Sequence, residues 1–141
     1  MVGERPIMDN REINEKYAEI GAELIKKEPA LEHIKNSKAT IVYLSSEHKK
    51  GHDGKKVFAQ CEKVAQKYKW SVPCDFTITV FEPNVEGFTD EQIEILLFHE
   101  LLHVGITQND DGTETYSTVP HDLEDFKLII DRFGTDWAKV D

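Results

Sequence analysis

Cysteine is scarce in this chain: two among 141 residues, Cys61 and Cys74, without C-x-x-C spacing. That speaks against a disulfide scaffold and predicts two reduced, buried thiols. Long apolar runs are missing as well. Ile95-Leu96-Leu97-Phe98 is four residues, where a membrane-spanning helix needs roughly 20, so no membrane partner is expected. Positive charge is short: 17 Lys and Arg face 27 Asp and Glu, a formal net charge of -10. Such a field repels phosphate backbones and anionic lipid, which removes nucleic acid from the expected partners. The opening MVGERPIMDN has no apolar stretch behind its first charges, so no secretory signal is expected and the predicted location is cytoplasmic. Repeats, linkers and low-complexity tracts are also lacking, and the length fits one domain over residues 1–141.

What is there suffices for a core, with 39% hydrophobic residues. Asp9 and Glu12 resemble a capping box, and Ile13, Tyr17, Ile20 and Leu24 recur at helical spacing up to Pro29, predicting an amphipathic N-terminal helix. Residues 39–44 (ATIVYL) read as a buried strand, SSEHKKGHDGKK as a loop or hairpin, and 57–64 (VFAQCEKV) as a strand or short helix. Residues 76–81 (FTITVF) read as the better strand. Thr89 with Gln92 three residues on, and Asp90 and Glu91 in the first turn, predict a capped helix over 90–104, stopped at Gly105. Residues 107–120 are polar around an Asn-Asp-Asp-Gly turn. Leu123, Phe126, Ile130 and Phe133 then repeat at helical spacing before Gly134, predicting a C-terminal helix. The expected class is α+β: a short mixed sheet packed against the 90–104 helix, with an N-terminal and a C-terminal helix.

That capped helix contains His99-Glu100-Leu101-Leu102-His103, an H-E-x-x-H pattern. Residues four apart share a helix face, so both imidazoles reach one ion and the intervening Glu reaches its water. A shuffled chain of this composition shows the pattern about 3% of the time. Ile93, Leu96, Leu97, Leu101 and Leu102 around it are apolar, so these three polar side chains stand in a stretch that tends to be buried and need partners there; a metal is one. Zinc suits the set: catalytic sites take three protein ligands and a water, and Glu100 is placed as general base.

A third ligand does not follow the metzincin spacing, because Ile106 and Asn109 replace the required Gly and His. The downstream candidates are His121, Asp122, Glu124 and Asp125. His121 is preferred, since Pro120 stiffens its approach and a place at the start of the last helix favours neutral imidazole; Asp125, four residues on, is then its expected hydrogen-bond partner. Glu124 is the alternative. LLFHELLHVGI followed by PHDLEDF resembles the putative phage metallopeptidase domain, a small zincin-like family of phages and prophages, and more distantly is similar to SprT-like and ImmA-like zinc proteins. The resemblance implies a zincin-like fold over about residues 39–133, Zn2+ on His99, His103 and His121, and Glu100 as base.

The sequence therefore predicts a zinc metallopeptidase that cleaves peptide or protein substrates with a zinc-activated water, the substrate adding as a strand to an exposed edge, FTITVFE. Two rivals remain: a non-catalytic zinc-stabilised protein-interaction module, for which a fourth protein ligand would speak, and a hydrolase of non-peptide amides. Gly51-His-Asp-Gly54-Lys55-Lys56 lacks the P-loop spacing. His48 and His52 sit in a glycine-flanked polar loop and are read as solvated. Trp70 and Trp137 are read as packing residues, and Tyr116 as a surface or packing residue or an oxyanion donor.

Overall fold

The computed structural model describes residues 11–121 and 126–140. Strand β1 (Arg11–Ile13) leads into helix α1 (Glu15–Lys27) and the short α2 (Glu32–Lys35). Strand β2 (Ile41–Ser46) precedes a small hairpin, β3 (Gly51–His52) and β4 (Lys55–Lys56), and then β5 (Ala59–Lys63) and β6 (Phe76–Phe81). Helix α3 (Asp90–Leu101) runs into a second hairpin, β7 (Val104–Gln108) and β8 (Glu114–Thr118), and α4 (Lys127–Phe133) is the last element among the described residues. This is a small α+β fold with a mixed sheet, as expected for a small zincin-like domain.

The main sheet has the order β1-β2-β6-β5, with β2 and β6 parallel and the outer pairs antiparallel. Register places Tyr43, Ile78 and Cys61 in one row across it. Period-two alternation sends that row, with Phe76, Val80 and Ala59, to the face that forms the core with α1 and α3. Of residues 57–64, Ala59–Lys63 thus resolve as a strand. The expected substrate edge at FTITVF is overturned: β6 has a partner on both sides, and β5 is the outer strand. Strand order depends on pairings distant in sequence, so alternation within one segment does not reveal an edge.

Helix α3 starts as its sequence dictates. Thr89 Oγ1 accepts from Gln92 N at 3.2 Å and Gln92 Oε1 accepts from Thr89 N at 2.7 Å, closing the capping box. Its centre is buried on nearly every side: Leu96, Leu97, Phe98 and Leu101 are at most 2% exposed, each worth about 1.5–3 kcal/mol of burial. The far end differs from expectation, because the helix stops at Leu101 and Val104 already opens β7. Gly105 is a strand residue there, and its missing side chain lets β8 close in; a Cβ would stand 2.6 Å from Ser117 Oγ.

Two further expectations need correction, and one gains detail. Glu12 and Ile13 pair with Ser45 and Leu44 instead of starting the first helix, and Asn14, extended and accepting from Tyr17 N at 2.9 Å, takes the cap; Asp9 lies outside the described residues. The turn expected within the polar 107–120 segment is there, and around Gly112 it joins the two strands of a β-hairpin. Trp70 is 86% exposed in the turn before β6 rather than packed.

Candidate metal centre

Residues 99 and 103 start from the four-residue spacing, and their rings stand 5.2 Å apart between centroids. His99 lies in the last turn of α3, while His103 falls just beyond it, where its N–H donates to the Glu100 carbonyl at 3.0 Å. His103 is held by the hairpin. Its backbone carbonyl accepts from Val119 N at 2.7 Å, which adds one more pair to the β7–β8 ladder beyond Val104 and Thr118. His33 Nε2 fixes the start of β7 by donating to the Val104 carbonyl at 2.9 Å.

The same hairpin returns the chain so that His121, two residues past Val119, meets the pair. Its ring lies 4.7 Å from that of His99 and 4.5 Å from that of His103. The sequence argument that His121 opens the last helix is overturned: Phe126, at φ -70° and ψ 137°, still has extended backbone, and α4 begins at Lys127. Hairpin closure brings His121 into place, not a helix terminus. Asp122, Glu124 and Asp125, the other candidates, lie outside the described residues.

Among the described residues, His99, His103 and His121 form the one group of at least three His, Cys, Asp or Glu whose ligand atoms all lie within 4.8 Å of one another, and this group can hold a metal ion. The donor chemistry fits. A carbonyl only accepts, so the 2.6 Å contact of His103 Nδ1 with the Val119 carbonyl puts the proton on Nδ1 and the lone pair of the neutral ring on Nε2. His99 Nε2 and His121 Nε2 are 2.9 Å apart, near the roughly 3.3 Å that separates two nitrogens sharing a tetrahedral zinc ion. Glu100 is 4% exposed, and its Oε2 lies 3.9 Å from His99 Nε2. Phe126, which the sequence showed only as one residue of an apolar stripe, packs its ring 4.9–5.4 Å from all three imidazoles.

Two clefts meet at this group. One, of about 420 Å³, runs between β5 (Ala59, Gln60, Cys61) and the Thr118-Val119-Pro120 segment. The other, of about 720 Å³, opens on the far side of His99, Glu100 and His121 and is mostly apolar. Cys61, in the first, is a free thiol pushed up to about 12 by burial and then by the carboxylates of Glu100 and Glu62. Tyr116 is directed elsewhere: its hydroxyl donates to Glu114 Oε1 at 2.7 Å and its ring packs on Phe76. His48 packs at the edge of Phe81 and the exposed His52 lies 3.3 Å from Asp53, and neither belongs to the metal-capable group found among the described residues.

No helix among the described residues is long and apolar enough to cross a membrane. No curated protein and no solved structure matches the chain. A family model does, over residues 9–140, and with the histidine group at the meeting point of two clefts it gives the chain its place: it belongs to the putative phage metallopeptidase family.

Proposed function

We propose that the protein is a zinc-dependent peptidase in which His99, His103 and His121 hold the ion and Glu100 is the general base. The observation that carries this is the convergence of three imidazoles beside one buried carboxylate. Zinc bound there would bring the pKa of a water towards 7 and polarise a scissile carbonyl. Glu100 accepts the proton of the attacking water and returns it to the departing amine, so that the peptide bond breaks with no net change in the carboxylate. Burial at the end of a helix whose centre is apolar keeps bulk water from competing for that carboxylate. His103 is oriented by Val119, and the Phe126 ring walls the group.

The substrate backbone is assigned to the outer side of β5, where Ala59, Gln60 and Cys61 line the cleft that His99, Glu100 and His103 also line. We place the activity in the cytoplasm of the host cell, in keeping with free thiols at Cys61 and Cys74. The interaction-module alternative calls for a fourth protein ligand, for which Asp122, Glu124 and Asp125, outside the described residues, are the candidates.

Glu100→Gln is the direct test. It retains bound zinc by elemental analysis and loses peptide hydrolysis by about 10²–10⁴-fold, the usual contribution of a general base. A variant that cleaves as fast as the parent chain sinks the assignment.

A further inference from the structure

We infer that the 720 Å³ cleft is the side-chain pocket of this peptidase and selects a large apolar residue next to the scissile bond; the inference rests on the peptidase reading above. Phe58, Leu96, Ile130, Trp137 and Ala138 line it, and the exposed Lys56 stands among them. A concave apolar volume of this size takes ligands well beyond one side chain, so it accommodates the largest of them.

Continuity with the reacting centre is what turns a surface cleft into a subsite. His99, Glu100, His121 and Ala59 line both clefts. A peptide paired along β5 therefore passes from the smaller cleft at Cys61 to the apolar one at Ala59 while crossing Glu100. Side chains alternate along such a strand, so a residue beside the scissile bond is turned into the apolar walls. Burial of a Phe- or Leu-sized group there contributes binding that Gly or Asp cannot supply.

The wall is built to stay. Gln92 Nε2 donates to the Trp137 carbonyl at 3.0 Å and the Lys139 carbonyl at 2.7 Å, while Gln92 Oε1 completes the α3 capping box. One side chain thus fixes both the start of the histidine-bearing helix and the C-terminal segment that carries Trp137. The indole stands 6.4 Å from the His99 ring, between centroids, and is half-buried.

Two measurements test this. With zinc-loaded protein, peptides that differ only in one residue flanking the scissile bond, each side in turn, are cleaved with kcat/KM at least tenfold higher for Phe or Leu than for Gly or Asp on one side, the difference lying mainly in KM. Trp137→Ala brings that ratio down to about threefold or less. Cleavage indifferent to the residue on both sides overturns the pocket and leaves the peptidase reading standing. The second measurement needs no turnover: the chain has two tryptophans, so Trp70→Phe makes Trp137 the sole indole. N-acetyl-phenylalanine amide shifts its fluorescence saturably and N-acetyl-glycine amide does not. That result without any peptide cleavage supports the pocket and counts against the peptidase, whereas no shift with either amide overturns the pocket.

Discussion

His103 and Val119 are bonded to each other twice. The Val119 N–H donates to the His103 carbonyl at 2.7 Å, and His103 Nδ1 donates to the Val119 carbonyl at 2.6 Å. One residue thereby closes the hairpin, sets the tautomer of one imidazole and begins the segment that delivers another. Val119→Pro removes the N–H and with it the closing ladder bond. The Val119 carbonyl that accepts from His103 Nδ1 is kept but loses the ladder bond that positions it, so the expected effect is a fall in zinc affinity of about tenfold, the low end for a disturbed outer-shell partner of a metal ligand, against a stability loss of about 1 kcal/mol. Competition with a chromogenic chelator and urea unfolding separate the two quantities. Equal affinity in the two proteins would show that the hairpin does not orient His103.

His121 is exposed, unlike His99 and His103, and comes from a different part of the chain. His121→Ala therefore tests the third ligand with little risk to folding. The expected result is a zinc affinity lowered at least tenfold, while Glu124→Gln leaves it near that of the parent chain. The reverse pattern would transfer the third ligand to Glu124.

The parts of this arrangement that could be read from sequence are the local ones. Thr89 and Gln92 are three residues apart and cap one helix, and His99 and His103 share its face, so spacing alone carries both. Phe76–Phe81 also declares itself, because alternation is a property of the segment. His121 reaches the group from beyond a hairpin, so the helix start that favours it in the sequence is not what places it. The hairpin that brings it home sets only Val104, Ile106 and Tyr116 against the core, while Thr107, Gln108, Thr115, Ser117 and Thr118 are exposed, so its inward face is too short to stand out in the sequence. The Asp-Asp-Gly turn was its only local signal. The Val119 carbonyl has no signature at all, since every residue owns one, and the outer position of β5 follows from pairings between distant segments.

Removing the metal should loosen the molecule. The three histidines belong to the end of α3, the turn after it and the segment beyond β8, so an ion held by them ties together parts of the chain that otherwise meet through one hairpin. A ligand bound to the folded state at 100 times its dissociation constant stabilises by about 2.7 kcal/mol. Chelation is then expected to lower Tm by roughly 5–10 °C, restored by added zinc and not by magnesium, as differential scanning calorimetry would record. An unchanged Tm through both steps would mean that the histidine group holds no ion in solution.

A last prediction concerns pH and the far end of the sheet. Asp75 precedes β6 and Thr40 precedes β2; Asp75 Oδ2 accepts from Thr40 N at 2.9 Å and from Thr40 Oγ1 at 3.1 Å, and Lys69 donates to Oδ1. Burial alone would raise the carboxyl, yet the Lys69 and Thr40 hydrogen bonds outweigh it and hold Asp75 below its ordinary value of 3.8. A folded-state value below the unfolded one means that the ionised carboxylate stabilises the fold. That contribution is complete above the ordinary carboxylate value and disappears as pH falls through the depressed one. Asp75→Asn should accordingly be less stable than the parent chain at neutral pH, by about 1–2 kcal/mol for the loss of charge-assisted hydrogen bonds. The gap should narrow as acid protonates Asp75 in the parent chain. Urea unfolding of both proteins, followed from neutral pH down through the carboxylate range, measures it; a gap independent of pH would show that the clamp between β2 and β6 does not depend on the charge of Asp75.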